Sequence, residues 1–261
     1  MSERTSYKPG TPCWIDLGTP DQDAAGEFYG NLFGWSVEED ENTEATGGYR
    51  VAMLRDKAIG GVMKLMQEGQ PPAWSSYVAV DDVDAAVARA TDAGGSAIAE
   101  PMDVLDYGRM AFIADPSGAV LGLWKGGRNI GAGLVNEPGA LAWNELNTRD
   151  VARAKDFYGA VFEWTFDQQG SYTRVLLDGE PVAGILDMAE QGVPAEVPAH
   201  WLVYFAVDDT DATVEKTKGG GGGLIVEPFD TPIGRIAILH DSFRASFGVI
   251  ALSEEARENA P

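Results

Sequence analysis

The chain repeats itself. Trp14, Phe28-Tyr29-Gly30 and Trp35 recur as Trp143, Phe157-Tyr158-Gly159 and Trp164, all displaced by 129 residues. Further along, the run from Tyr77 to Ala85 recurs from Tyr204 to Ala212, Glu100-Pro101 as Glu227-Pro228, and Gly108-Arg109 as Gly234-Arg235. Self-similarity at a period of more than a hundred residues means two copies of a whole domain. The 261 residues, 44% of them hydrophobic, supply two cores of the usual size of about 100 to 150 residues. The expected domains are residues 8–126 and 139–252. The glycine-rich stretch from Lys125 to Pro138 reads as the connector between them, and Glu254 to Pro261 as a frayed polar tail.

A second, weaker repeat lies inside each copy. Pro12 to Leu17 alternates like a strand, and Asp21 or Asp23 opens a helix that puts Ala25, Phe28, Tyr29 and Leu32 on one face. Gly34 ends that helix, and strands follow at Tyr49 to Leu54 and Ala58 to Met66. After Pro71-Pro72 the pattern restarts with a strand at Tyr77 to Val80 and a helix opened at Asp81-Asp82-Val83-Asp84 and stopped by Gly94-Gly95. Strands near 96–99, 109–114 and 119–124 complete the unit. The five glycines Gly219 to Gly223 sit where Gly94-Gly95 does, after a helix and before a strand, so they read as a helix terminator and not as a phosphate-cradling loop, which a helix must follow. The fold class is α+β, with four βαβββ modules in tandem.

Charge removes several function classes. Forty-one acidic against 19 basic residues leave a net charge of −22, which repels nucleic-acid phosphates and anionic lipid. No apolar run approaches the roughly 20 residues needed to span a bilayer. One cysteine, Cys13, makes no internal disulfide, and the first ten residues lack a secretory apolar core, so a cytoplasmic protein is expected.

The runs Phe28 to Trp35, Val80 to Asp84 and Asp115-Pro116-Ser117-Gly118 resemble three signatures of the glyoxalase/bleomycin-resistance/dioxygenase superfamily, also called the vicinal oxygen chelate (VOC) fold. They stand in family order and cover nearly the whole chain twice, although Asp241-Ser242-Phe243-Arg244 departs from the third signature. The closer resemblance is to two-domain actinobacterial members labelled hydroxylases, among them accessory proteins of anthracycline biosynthesis. It implies that the modules pair into two open half-barrels, each a glyoxalase-like cup for a small ligand.

Family enzymes hold a divalent ion there with His, Gln or Glu from strands of both modules. At the corresponding positions this chain has Trp14 and Trp143 on the first strand, Ser75 and Leu202 in the second module, and Gly122 and Gly248 on the last strand. The third-strand stretch 58–67 offers no acid or histidine, and 182–189 offers only Asp187. His200 and His240 are the only histidines, and both are read as surface or structural groups. No metal and no cofactor is therefore expected.

Strand alternation gives Trp14 and Asp16 one face, as it does Trp143, Glu145 and Asn147; Ser75 shares a face with Tyr77, Leu202 with Tyr204, and Trp124 with Gly122. The resemblance turns these faces into the cups. An indole beside a carboxylate and a phenol suits a flat aromatic or polyketide-like metabolite, and the first reading is a metal-free binding protein of secondary metabolism or detoxification. Its ligand-binding candidates are Trp14, Trp143, Trp124, Ser75, Leu202 and Asn147. A second reading is a metal-independent enzyme or oxygenase accessory, with Glu145 or Asp16 as general base and Tyr204 or Tyr77 as acid. A third is a metal-dependent lyase or dioxygenase, and the bland alternative is that the tryptophans simply fill the vacated cups as core. Arg109 and Arg235 either neutralise the two acids or lie exposed at hairpin ends. Either a monomer or a homodimer fits. Elemental analysis of protein purified without chelator is expected to find no stoichiometric metal; one divalent ion per domain, lost together with activity on chelation, would refute the substitution argument.

Overall fold

A computed structural model describes residues 3–65, 67, 69–254 and 256, so most of the tail from Glu254 and the end of the strand expected to reach Met66 lie outside the described residues. The first half runs β1 (Pro12–Thr19), α1 (Gln22–Phe33), β2 (Ser36–Glu39), β3 (Arg50–Leu54), β4 (Lys57–Lys64), β5 (Ala73–Ala79), α2 (Val83–Asp92), β6 (Ser96–Ala97), β7 (Met102–Val104), β8 (Gly108–Ala114) and β9 (Val120–Gly126). The second half runs β10 (Leu141–Thr148), α3 (Val151–Phe162), β11 (Thr165–Gln169), β12 (Tyr172–Leu177), β13 (Glu180–Asp187), β14 (His200–Ala206), α4 (Thr210–Gly219), β15 (Gly223–Thr231), β16 (Gly234–His240) and β17 (Ser246–Leu252).

Each half builds its own sheet, ordered β2-β3-β4-β1-β5-β9-β8-β6 with β7 beside β8, and β11-β12-β13-β10-β14-β17-β16-β15. Within a sheet the two modules meet where their first strands pair antiparallel, β1 with β5 and β10 with β14. Four βαβββ modules thus make two curled sheets. The helix signals act as read: Asp21 accepts from the amides of Asp23 and Ala24, Asp82 from Ala85, and Gly34 closes α1 at φ 78°. The sequence reading passed over β2, because Ser36 to Glu39 is short, polar and exposed and so shows no alternation. It also expected one strand at 96–99, where the chain forms two short ones, β6 and β7; in the second half the same stretch is the single nine-residue β15, carried through two register shifts.

The convex faces of the two sheets pack back to back, with the helices between and beside them. One core joins Ile15, Leu17 and Trp74 of the first sheet and Phe28 and Tyr29 of α1 to Val203, Phe205, Phe247 and Val249 of the second. A pseudo-symmetric core joins Val78, Ile113 and Leu123 to Phe157, Tyr158, Ile185 and Trp201. The helix face expected to cover its own sheet therefore covers the other half as well. The concave faces are left pointing outward, and these are the cups.

The connector from Lys125 to Pro138 is not slack. It buries Ala132, Leu134 and Val135, and the Ala132 amide donates to the Cys13 carbonyl at 2.8 Å and that of Gly133 to the Ala58 carbonyl at 2.7 Å. Arg109 and Arg235 neutralise neither cup acid. Each forks onto the aspartate in the first turn of its own module's helix, Arg109 to Asp84 of α2 and Arg235 to Asp211 of α4, with Asp103 and Asp230 as further partners.

The glycine run does terminate α4, with Gly221 at φ 86° as Gly94 is in the first half. It has a further duty. A Cβ on Gly222 would lie 2.4 Å from the His240 carbonyl oxygen and 3.1 Å from the Phe28 ring, whereas one on Gly219 would meet nothing within 4 Å. Gly222→Ala should therefore cost about 1 to 3 kcal/mol by overpacking. Gly219→Ala, in the last turn of α4, should be neutral or stabilising by up to about 1 kcal/mol. Urea denaturation of both variants checks this, and equal effects would contradict the packing argument.

Candidate functional site

In each cup an indole, a carboxylate and two phenols come together, one set from each half. In the second cup β10 presents Trp143 and Glu145 on its concave face, β12 brings Tyr172 beside them across β13, and β14 supplies Tyr204 directly opposite Trp143. Trp143 Nε1 donates to Tyr172 Oη at 2.9 Å, and Tyr204 Oη donates to Glu145 Oε1 at 2.8 Å. The Tyr172 hydroxyl is a second donor to Glu145, and Asn147 Nδ2 a long one at 3.4 Å. Burial pushes the Glu145 carboxyl above the usual range for a glutamate, with the Tyr204, Tyr172 and Asn147 donors working against that shift. Burial also raises both phenols, and the neighbouring Glu145 charge raises them further, so they stay protonated and act as donors.

The first cup repeats the motif one methylene shorter. Trp14 Nε1 donates to Tyr49 Oη at 2.9 Å and Tyr77 Oη to Asp16 Oδ2 at 2.7 Å. Asp16 Oδ1 is buried without a hydrogen-bond partner. Burial pushes the Asp16 carboxyl up to about 6, opposed by the Tyr77 and Ser75 hydroxyls. Tyr49 and Tyr172 were absent from the sequence reading. Their signal was there, since Tyr49 immediately precedes β3 and Tyr172 opens β12 and each stands against a glycine, but cross-strand register is needed to see it: a Cβ on Gly61 would lie 1.8 Å from Tyr49 Oη, and one on Gly184 1.9 Å from Tyr172 Oη.

The two cups differ in access. Trp14 is 5% exposed and packs with Cys13, Tyr77, Ala79, Trp124, Ala132 and Val135. The Tyr7 hydroxyl donates to the Ala132 carbonyl at 2.7 Å, fastening the N-terminal segment and the connector together over that cluster. At its rim Tyr107 Oη donates to Asp40 Oδ1 and accepts from Asn42 Nδ2, both at 3.0 Å, while Arg128 lies 4.7 Å above the Tyr107 ring and pairs with Glu41. In the second cup Trp143 and Tyr172 are only half-buried, and Leu202, Ile236, Ile238 and Ile250 complete the wall. A groove of about 580 Å³ between α1 and α4, lined by Glu27, Phe28, Asn31 and Lys216 among others, shares no residue with either cup.

The donor chemistry does not fit a divalent ion. At the last-strand positions a Cβ on Gly122 or Gly248 would lie 2.2 Å from the ring of Tyr77 or Tyr204, so the phenols fill the space a chelating side chain would need. Asp187 caps its own turn by accepting from the Ala189 amide at 2.9 Å; His200 bonds the Pro198 carbonyl, and His240 the Asp241 carbonyl and Arg244. Among the described residues no three His, Cys, Asp or Glu side chains converge.

Asp16 gives a stability test. Its folded pKa of about 6 lies above the 3.8 of the free side chain, so the folded state holds the proton more tightly. The stability contributed by this group is complete below about pH 4 and is lost as pH rises through 6. Asp16→Asn should stabilise the protein by up to about 3 kcal/mol at pH 7.5 and by roughly half that at pH 5. Denaturant titrations at the two pH values measure it, and a gain independent of pH would disprove the shift.

The family model described as "Glyoxalase/Bleomycin resistance protein/Dioxygenase superfamily" matches residues 13–123 and again 140–250. "Putative glyoxylase CFP32" of Mycobacterium tuberculosis is 44% identical over 259 residues, covering 96% of this chain and 98% of its own. "Anthracycline biosynthesis protein DnrV" of Streptomyces peucetius is 39% identical over 268 residues, covering 96% of each. Among solved structures, the Mn(II)-bound glyoxalase of Novosphingobium aromaticivorans superposes with TM-score 0.64 at 14% identity over 100% of this chain and 87% of that one. A catechol 2,3-dioxygenase superposes with TM-score 0.65 at 12% identity over 95% and 89%.

Proposed function

The chain belongs to the glyoxalase/bleomycin resistance protein/dioxygenase superfamily in both of its halves, and from that starting point we propose that it is a metal-free member that binds a small aromatic or polyketide-like metabolite. The observation that carries this reading is the replacement of a chelating centre by a stacking one: a half-buried indole beside a buried carboxylate held by phenols. A flat ligand gains broad contact area on an indole whose rotamer is already fixed, here by the Trp143 to Tyr172 bond. Relatives named for anthracycline biosynthesis favour a role in secondary metabolism, with sequestration of a toxic compound as the detoxifying form of the same activity. A cytoplasmic location and a monomeric or dimeric state belong to this reading.

A second reading adds chemistry to the same pocket. A carboxyl raised by burial and bonded to two phenols is suited to take a proton from a bound substrate, so Glu145 would serve as general base with Tyr204 as acid in a metal-independent isomerisation, cyclisation or oxygenase-accessory step.

Titration of tryptophan fluorescence with a panel of hydroxylated polycyclic aromatics separates the two. Binding in the micromolar range or tighter is expected, weakened at least tenfold by Trp143→Ala; absence of saturable binding across the panel would refute the first reading. Glu145→Gln should leave affinity within a few-fold under the first reading and abolish turnover under the second.

A further inference from the structure

The concave face of the second sheet can be read row by row from its register. One row runs Trp143, Tyr204, Gly248, Ile238, Val226, and the next ends in Ile236 and Phe229. Val226 and Phe229 are 42% and 44% exposed, so the apolar wall of the cup continues outward to an open lip. In the opposite direction Glu145 lies beside Gly184, and Gly184 beside Arg174. Val175 and Thr173 are buried against the back of the sheet, which leaves Arg174 on the concave side with Tyr172. Two strand spacings, about 10 Å, separate the backbones that carry Glu145 and Arg174.

Among the described residues that register places on this face, Arg174 is the only lysine or arginine, in a protein with 41 acidic and 19 basic residues. Its side chain is 45% exposed. Asp167 accepts from Nε and Nη2 on the same carboxylate oxygen, so the ion pair uses one edge of the fork and leaves Nη1 turned elsewhere. The corresponding position of the first sheet, opposite Gly61, is Val51, an uncharged member of the cluster that fills that cup. Both cups end in an apolar lip, with Met102 55% exposed at the first, but they have diverged at the indole and on the sheet face: Trp14 is buried with Trp124 and the connector, whereas Trp143 is half-buried and has Arg174 beside it on the same face.

We propose that the second cup alone is the ligand site and that its ligand is a planar hydroxyaromatic carrying an anionic substituent. The rings lie against Trp143 and the Ile236, Ile238 and Phe229 wall, a ring hydroxyl donates to Glu145, and the anion accepts from Arg174. This assignment rests on the binding function proposed above and narrows it to one pocket and one ligand class. Strands two spacings apart suit a ligand the length of a fused bicyclic or tricyclic system, and the guanidinium selects the anion by charge-assisted hydrogen bonds. The first cup is a structural copy.

Calorimetric titration with 6-hydroxy-2-naphthoate, whose hydroxyl and carboxylate stand at opposite ends of the ring system, and with 2-naphthol, which lacks only the carboxylate, tests it. The naphthoate should bind at one site per chain, and Arg174→Gln, a change at an exposed position, should weaken it about tenfold while moving naphthol less than twofold. Trp143→Ala should abolish both, and Trp14→Phe should leave both unchanged. Equal losses for the two probes in Arg174→Gln would overturn the role of the cation, and loss in Trp14→Phe with retention in Trp143→Ala would overturn the choice of cup. Binding of neither naphthalene, with another member of the fluorescence panel bound, would overturn the anionic-aromatic class while leaving the broader binding function standing.

Discussion

A buried tyrosine on a helix of one half reaches the carboxylate of a turn in the other, and this contact occurs twice. Tyr29 Oη donates to Asp241 Oδ2 at 3.2 Å and Tyr158 Oη to Asp115 Oδ2 at 3.1 Å. Each tyrosine also accepts from an indole of its own half, Trp74 for Tyr29 and Trp201 for Tyr158, at 3.0 and 2.9 Å. The same aspartates accept from the amides of their own turns, at Ser117 and Ala119 and at Phe243 and Ala245. Buried polar groups of this kind are tolerated only when every member is satisfied, which ties the geometry of each half to that of the other. Two further indoles complete the symmetry: Trp35 Nε1 donates to the Gly139 carbonyl and Trp164 Nε1 to that of Gly10, at 2.7 and 2.8 Å. The convex faces are thereby fixed against one another, and the concave faces must open outward.

The cups inherit their positions from this packing but not their contents. Both keep the order indole, phenol, acid, phenol, and a single methylene separates Asp16 from Glu145. The longer side chain has Tyr204, Tyr172 and Asn147 around it, whereas the shorter one has Tyr77 and Ser75 and leaves Oδ1 without a hydrogen-bond partner. Burying a carboxylate with incomplete hydrogen bonding is costly, and that cost appears as the raised pKa of Asp16. The first cup offsets it with a dense apolar cluster to which the N-terminal segment and the connector contribute, so the tryptophans there act as core. In the second cup the same indole is left accessible.

Much of this was legible in the residues themselves. The repeat, the βαβββ order and the helix caps follow from local rules, because an aspartate before an apolar helix face and a glycine after it act within a few residues. Alternation gave the indole and acid of each cup one face of one strand and the phenols Tyr77 and Tyr204 one face of another, and the family resemblance joined the two faces into a cup. Tyr49 and Tyr172 did not, since they enter from neighbouring strands whose register no single-strand pattern fixes. Arg109 and Arg235 stayed undecided for the same reason, their partners lying 25 and 24 residues away. The connector was misread because glycines that make a flexible linker also allow close backbone approach, as at Gly131 against the Cys13 carbonyl.

By itself, then, the amino-acid order determined that two like domains exist and which elements compose them; that indoles, a serine, a leucine and glycines stand at chelating positions followed from the resemblance to the superfamily. The first two properties reside in periodicity and residue chemistry, which act over a few positions or can be counted directly. Tertiary structure alone decided that the signature tyrosines and aspartates clasp the two halves together, that Trp14 is buried where Trp143 is half-buried, and that Arg174 stands on the same face as Glu145. Each of these depends on which strands become neighbours and in what register, and that is settled only when the whole apolar surface is buried at once.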